Sequence, residues 1–145
     1  MTAMPPFRAG PVTVSVPATS ANLGPGFDTF GLALELRDEV TAEVTGDGIR
    51  VQVEGEGAGE VPEGREHLIV ATLLTTYREM GIEPPDGLRL SCVNRIPHAR
   101  GLGSSSAAIV AGIRLARALV DQPPANTISG ESAVTFRNVP SPLLR

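Results

Sequence analysis

The chain has 145 residues, 41% hydrophobic and 19% charged, with 3% aromatics, no Trp and a formal net charge of −4; this fits one globular domain with an aliphatic core and excludes a disordered polymer. The acidic balance argues against a nucleic-acid partner, which shows a basic face, and the single cysteine, Cys92, excludes a disulfide framework or a cysteine metal cluster. Residues 1–11 lack an apolar leader core and no apolar run approaches membrane-spanning length, so a cytoplasmic protein without membrane contact is expected.

Val12, Val14 and Val16 alternate with Thr13 and Ser15, which predicts a half-buried strand ended by Pro17. Residues 18–28 are built of turn residues and read as a long loop. Strand alternation returns at Leu32, Leu34 and Leu36, then at Val40, Ala42 and Val44, then at Ile49, Val51 and Val53. Gly46-Asp47-Gly48 between the last two reads as a hairpin turn. Residues 54–64, rich in Gly and Glu, read as an exposed loop.

The period then changes. Ile69, Val70, Leu73, Leu74, Tyr77 and Met80 form a helical stripe, with Gly81 placed to end it. Leu88, Leu90 and Cys92 restore strand alternation. From Ser104 a second helix carries Ile109, Ile113, Ala116 and Val120 on one face, with Arg117 and Asp121 as a surface pair. The order implies an α+β fold in which helices cover one face of a mostly antiparallel sheet. Residues 121–145 hold Pro123, Pro124, Pro140 and Pro142 without a sustained period and read as an irregular tail.

Between the last strand and the last helix lies Pro97-His98-Ala99-Arg100-Gly101-Leu102-Gly103-Ser104-Ser105-Ser106-Ala107. A helix start offers unpaired amides and partial positive charge. Gly101 and Gly103 let backbone approach a phosphate closely. Three successive hydroxyls can bond phosphate oxygens or a magnesium ion, which points to a nucleotide and phosphoryl transfer. The competing reading is a capped helix start. The chain has no lysine, all twelve basic residues being arginine, so this is not the G-x-x-x-x-G-K-[ST] loop. Phosphate contacts would come from amides, hydroxyls and Arg100. His98 has no partner carboxylate nearby in sequence and reads as a loop residue.

Taken with Val16-Pro17-Ala18-Thr19-Ser20-Ala21-Asn22-Leu23-Gly24-Pro25-Gly26-Phe27-Asp28, this stretch resembles the homoserine kinase branch of the GHMP kinases. The resemblance covers roughly residues 10–120. It implies a ribosomal-protein-S5-domain-2-like N-terminal domain and ATP-dependent phosphorylation of the homoserine side-chain hydroxyl, a step toward threonine. The co-substrate would be ATP with Mg²⁺, the partners small molecules, and the full-length enzyme a possible homodimer. Asn22 and Asp28 are implied in substrate binding, where Asp28 suits an ammonium and Asn22 offers both donor and acceptor; an Asx turn and a cap are their plain alternatives. Residues 97–107 are implied as the ATP cradle. Ser105 best matches the family's magnesium-coordinating serine, with Ser104 and Ser106 close rivals. His67 falls near the adenine-contacting segment, where Glu66 stands in place of the usual Asn.

Relatives continue with an E-G-H-x-D-N type acidic segment and a second domain, neither of which is seen in residues 121–145. The expectation is therefore a truncated or frame-altered homoserine kinase, binding ATP weakly and turning over little. Competing readings are a kinase of the same superfamily acting on another small alcohol, a non-catalytic nucleotide-binding module, and an RNA-binding domain, which the acidic balance disfavours.

Overall fold

The computed structural model describes residues 7–21 and 31–120. Four strands, β1 (Val12–Ala21), β2 (Gly31–Thr45), β3 (Ile49–Gly55) and β4 (Gly87–Asn94), and two helices, α1 (Leu68–Glu79) and α2 (Ser104–Ala118), follow in the order β1-β2-β3-α1-β4-α2. The sheet order is β1-β2-β4-β3. β2 is antiparallel to both neighbours, and β3 and β4 are parallel. This is the expected α+β class.

Period-2 alternation sorts the sheet into two faces. Val14 pairs with Val40, Val40 with Cys92, and Val53 with Cys92, so the apolar residues of all four strands share one face. That face joins Ile69, Val70, Leu73, Ala111 and Leu115 of the helices in one aliphatic core. Thr13, Arg37, Glu39, Arg89 and Gln52 occupy the other face. The one tyrosine, Tyr77, is fully buried and packs in a T-shaped arrangement with Phe7, their ring centres 5.6 Å apart.

Three sequence expectations change. First, Pro17 does not end β1, which continues to Ala21. β1 is an edge strand, where a missing N–H is tolerated, and the register slips between Pro17 and Thr19. Second, the alternations at 32–36 and 40–44 belong to one fifteen-residue strand. Third, the turn at 46–48 does not pair the strands it joins, because β4 inserts between β2 and β3. The turn passes over the start of β4. A Cβ on Gly87 would lie 2.6 Å from Thr45 Oγ1 and 2.8 Å from the Gly48 nitrogen, and the Leu88 amide donates to the Gly48 carbonyl at 3.0 Å. Turn chemistry reveals a reversal but not a third strand arriving later in the chain.

Both helices form where the 3.6 period predicts, except that α2 ends at Ala118, so that Val120, expected on its face, lies beyond it and bridges to Phe7. Gly81, at φ 69°, ends α1 as expected: its amide donates to Arg78 and the Ile82 amide donates to Tyr77, which pairs the last carbonyls. The helices approach closely at Gly112, where a Cβ would stand 2.8 Å from Thr72 Cβ. Asp121, the expected partner of Arg117, lies outside the described residues, as does the segment read as a tail.

Candidate nucleotide site

β4 delivers the chain into the glycine-serine loop at Arg95. The Arg95 and Ile96 amides donate to Asp38 Oδ1 at 2.6 and 2.9 Å. Ile96 is fully buried and anchors the loop's entry. Left-handed residues then recur at every second position: Ala99 has φ 57°, Gly101 φ 70° and Gly103 φ 72°, while φ is not positive at Arg100 or Leu102. Successive amides in such an alternation form an anion-binding concavity. Ala99 is the sole described non-glycine residue with positive φ, a conformation costing an L-residue about 1–2 kcal/mol.

The loop ends in the first turn of α2. Gly103 is the N-cap, in the left-handed conformation, and no side chain caps the turn. The first helical bond runs from the Ala107 amide to the Gly103 carbonyl at 2.8 Å. The amides of Ser104, Ser105 and Ser106 therefore precede the helical ladder, at its positive end. This removes the simple capping alternative, since the serines follow a glycine cap. Ser105 and Ser106 are exposed and Ser104 is half-buried.

The two sequence motifs meet here. The Thr19 amide donates to the Leu102 carbonyl at 2.9 Å, and the Thr19 hydroxyl fills the space where a Cβ on Gly103 would lie. Beside this junction opens a cavity of about 450 Å³. Val40, Ile69 and Ala111 give it apolar walls, and Asp38, His67 and Asn94 supply polar groups. Of the residues expected in the cradle, His98, Ala99, Ser104, Ser105 and Ala107 line the cavity. Gly101 and Gly103 shape the loop, while Arg100 and Ser106 are exposed on it. Pro97 and Leu102 lie in the loop itself, half-buried. Asn22 and Asp28 lie outside the described residues.

His67 has a defined local task. It is the N-cap of α1, its Nδ1 accepting from the Ile69 amide at 3.3 Å. Burial lowers its pKa below the ordinary 6.5, so near neutral pH the ring is uncharged. With Nδ1 an acceptor, the proton resides on Nε2. His98 stands over Gly57, where an added Cβ would come within 2.6 Å of the ring.

Asp38 and Asn94 were not among the sequence candidates. Asn94 Nδ2 donates to the Glu56 carbonyl at 3.1 Å, tying the 55–59 loop to the end of β4. Asp38 did leave a signal. It falls in the inward register of β2, between Leu36 and Val40, where an apolar residue belongs. Among the described residues no group of three or more His, Cys, Asp or Glu could hold a metal. The Ser104 and Ser105 hydroxyls line the cavity and are oxygen donors of the kind a hard cation such as magnesium takes.

The family described as the GHMP kinases N terminal domain matches residues 67–134. The homoserine kinase of Streptomyces coelicolor is 52% identical over 128 residues, covering 88% of this chain and 39% of that protein. The homoserine kinase of Corynebacterium jeikeium is 59% identical over 101 residues, covering 70% of this chain and 32% of that protein. The chain thus spans less than two fifths of the length of these curated relatives. The crystal structure of homoserine kinase from Cytophaga hutchinsonii superposes with a TM-score of 0.65 at 30% identity, over 75% of this chain and 35% of that one. Mevalonate kinase from Methanococcus jannaschii shares the fold at a TM-score of 0.57 and 18% identity, over 77% of this chain and 40% of that one. No described helix is long and apolar enough to cross a membrane. With its two motifs joined at Thr19 and Gly103 and its helix start opened by glycine, this chain matches the GHMP kinase N-terminal domain over part of its length and is similar to the homoserine kinases.

Proposed function

We propose that this chain is the nucleotide-binding part of a homoserine kinase, acting in the cytoplasm with ATP and Mg²⁺. The reaction would join the side-chain hydroxyl oxygen of L-homoserine to the γ-phosphorus of ATP. The bond from that phosphorus to its bridging oxygen breaks, the hydroxyl proton leaves, and O-phospho-L-homoserine and ADP result. The observation that carries this reading is the start of α2, which no side chain caps, beside the cavity and after a loop with left-handed residues at 99, 101 and 103. The relatives' names supply the choice of amino alcohol.

In this reading residues 97–107 cradle the phosphates, and the Ser105 hydroxyl helps hold magnesium, which would offset phosphate charge. Asn22 and Asp28 hold the amino acid, the carboxylate of Asp28 accepting from its ammonium. The full-length enzyme would work on small molecules, as a monomer or homodimer.

The test has two parts. ATP titrated calorimetrically into residues 1–145 should give saturable binding. A protein joining this portion to the remaining length of such relatives should release ADP in the presence of homoserine but not of mevalonate or galactose. Release that depends on another small alcohol instead would assign the chain to a different branch. Absence of ATP binding would overturn the nucleotide reading.

A further inference from the structure

Asp38 is a carboxylate in an apolar row. On β2 it shares the helix-covered face with Val40 and Ala42 and pairs across the ladder with Val16. It is 8% exposed. A carboxylate so placed is costly unless hydrogen-bonded, and its partners are the first two backbone amides after β4, those of Arg95 and Ile96. Its β2 neighbours extend the grip. The Arg95 guanidinium reaches the Arg37 carbonyl at 3.4 Å and the Glu39 carboxylate at 3.8 Å. Residues 37–39 thus fix the point and direction at which the chain leaves the sheet. The first left-handed residue, Ala99, follows three residues after Ile96. Asp38 also lines the cavity, so the clamp and the ligand space share a wall.

We propose that Asp38 is a positioning residue for nucleotide phosphates. By holding the amides of Arg95 and Ile96 on one oxygen, it aims the concavity of residues 99–103 into the cavity. It acts through the loop and need not touch the phosphates. Charge-assisted acceptance of two amides suits this role, being stronger than a neutral contact and partly offsetting a negative charge that would otherwise repel an anion. The role rests on the nucleotide reading above.

The test compares ATP with adenosine, which can enter the cavity but has nothing for the loop to hold. Both are titrated into residues 1–145 by ligand-observed NMR, for the unchanged chain, Asp38→Ala and Asp38→Asn. Backbone hydrogen exchange is followed in parallel. Asp38→Ala should weaken ATP roughly tenfold or more beyond any loss it causes for adenosine. It should also speed exchange at Arg95, Ile96 and residues 99–103 without altering β2. Asp38→Asn, which keeps an acceptor, should recover most of the ATP affinity. If Asp38→Ala does not fold, Asp38→Ser, too short to span both amides, reads the same selective loss. Equal losses for ATP and adenosine would reduce Asp38 to a general structural residue and overturn the role. Full ATP affinity in Asp38→Ala would overturn it alone. Failure of the unchanged chain to bind either ligand would overturn the nucleotide reading and this role with it.

Discussion

Thr19 and Gly103 are in contact so close that no side chain fits at position 103. The threonine hydroxyl occupies the place of the missing Cβ, and the Gly103 backbone is left-handed at φ 72°. Gly101 is equally left-handed at φ 70°, yet nothing lies within 4 Å of its absent Cβ. The two glycines therefore do different work. Gly103→Ala should destabilise the fold by about 2–3 kcal/mol, combining backbone strain with a forced shift of Thr19. Gly101→Ala should cost only about 1–2 kcal/mol of left-handed strain and act mainly on anion binding. Chemical denaturation of the two variants separates them. Equal destabilisation would show that the Thr19 contact is soft.

His67 predicts a pH dependence. Its folded-state pKa lies below the ordinary 6.5 because burial disfavours the charged ring. The unfolded chain then binds the proton more readily than the folded one, so stability rises with pH across this window. It should be fully present above pH ~6.5 and fall progressively as pH drops from there through the folded pKa. Protonating Nδ1 would also remove the acceptor for the Ile69 amide. His67→Asn keeps a capping oxygen and cannot titrate. Urea midpoints between pH 5 and 7.5 should slope less for the variant than for the unchanged chain. Parallel slopes would assign the pH dependence to other groups.

The seam between the helices is set by Gly112. A Cβ there would stand 2.8 Å from Thr72 Cβ and 2.9 Å from the Ile69 carbonyl oxygen. Alanine in place of glycine favours an isolated helix by about 1 kcal/mol, but overpacking costs about 1–3 kcal/mol. Gly112→Ala should therefore be destabilising on balance, and Gly112→Val more so. Thr72→Ala should not rescue Gly112→Ala fully, because the Ile69 carbonyl remains in the way. Thermal melts of the single and double variants give the comparison, and a stabilised Gly112→Ala would mean the helices separate easily.

Much of this fold could be read from local pattern. The valines of β1, the stripe of α1 and the Gly81 stop are each short-range signals, and each appears where predicted. Strand order was not readable, since the placement of β4 between β2 and β3 depends on the whole sheet burying one face. Pro17 misled for a related reason: whether a proline is tolerated depends on whether its strand is an edge. At the site, the glycines and serines announced an anion loop, but the support beneath it did not carry a motif. Asp38 was visible only as a polar residue in an apolar register. The meeting of Thr19 with Gly103 is a contact across 84 positions that spacing alone does not reveal.

Cys92 offers a chemical probe of the same architecture. It is 1% exposed on β4, and burial, followed by the nearby negative charge of Asp38, pushes its thiol up to about 12. Only the thiolate reacts readily, so a thiol reagent at pH 8 should label the folded chain slowly and the urea-unfolded chain quickly. Because β4 is flanked by β2 and β3, labelling should require opening of the sheet, and its free energy should approach that of global unfolding. ATP that binds the folded chain alone should slow labelling further, in proportion to 1 + [ATP]/Kd. The measurement is the labelling rate against ATP concentration. Fast native labelling would contradict the burial of β4, and a rate indifferent to saturating ATP would show that the loop beyond Asn94 does not bind nucleotide in the folded state.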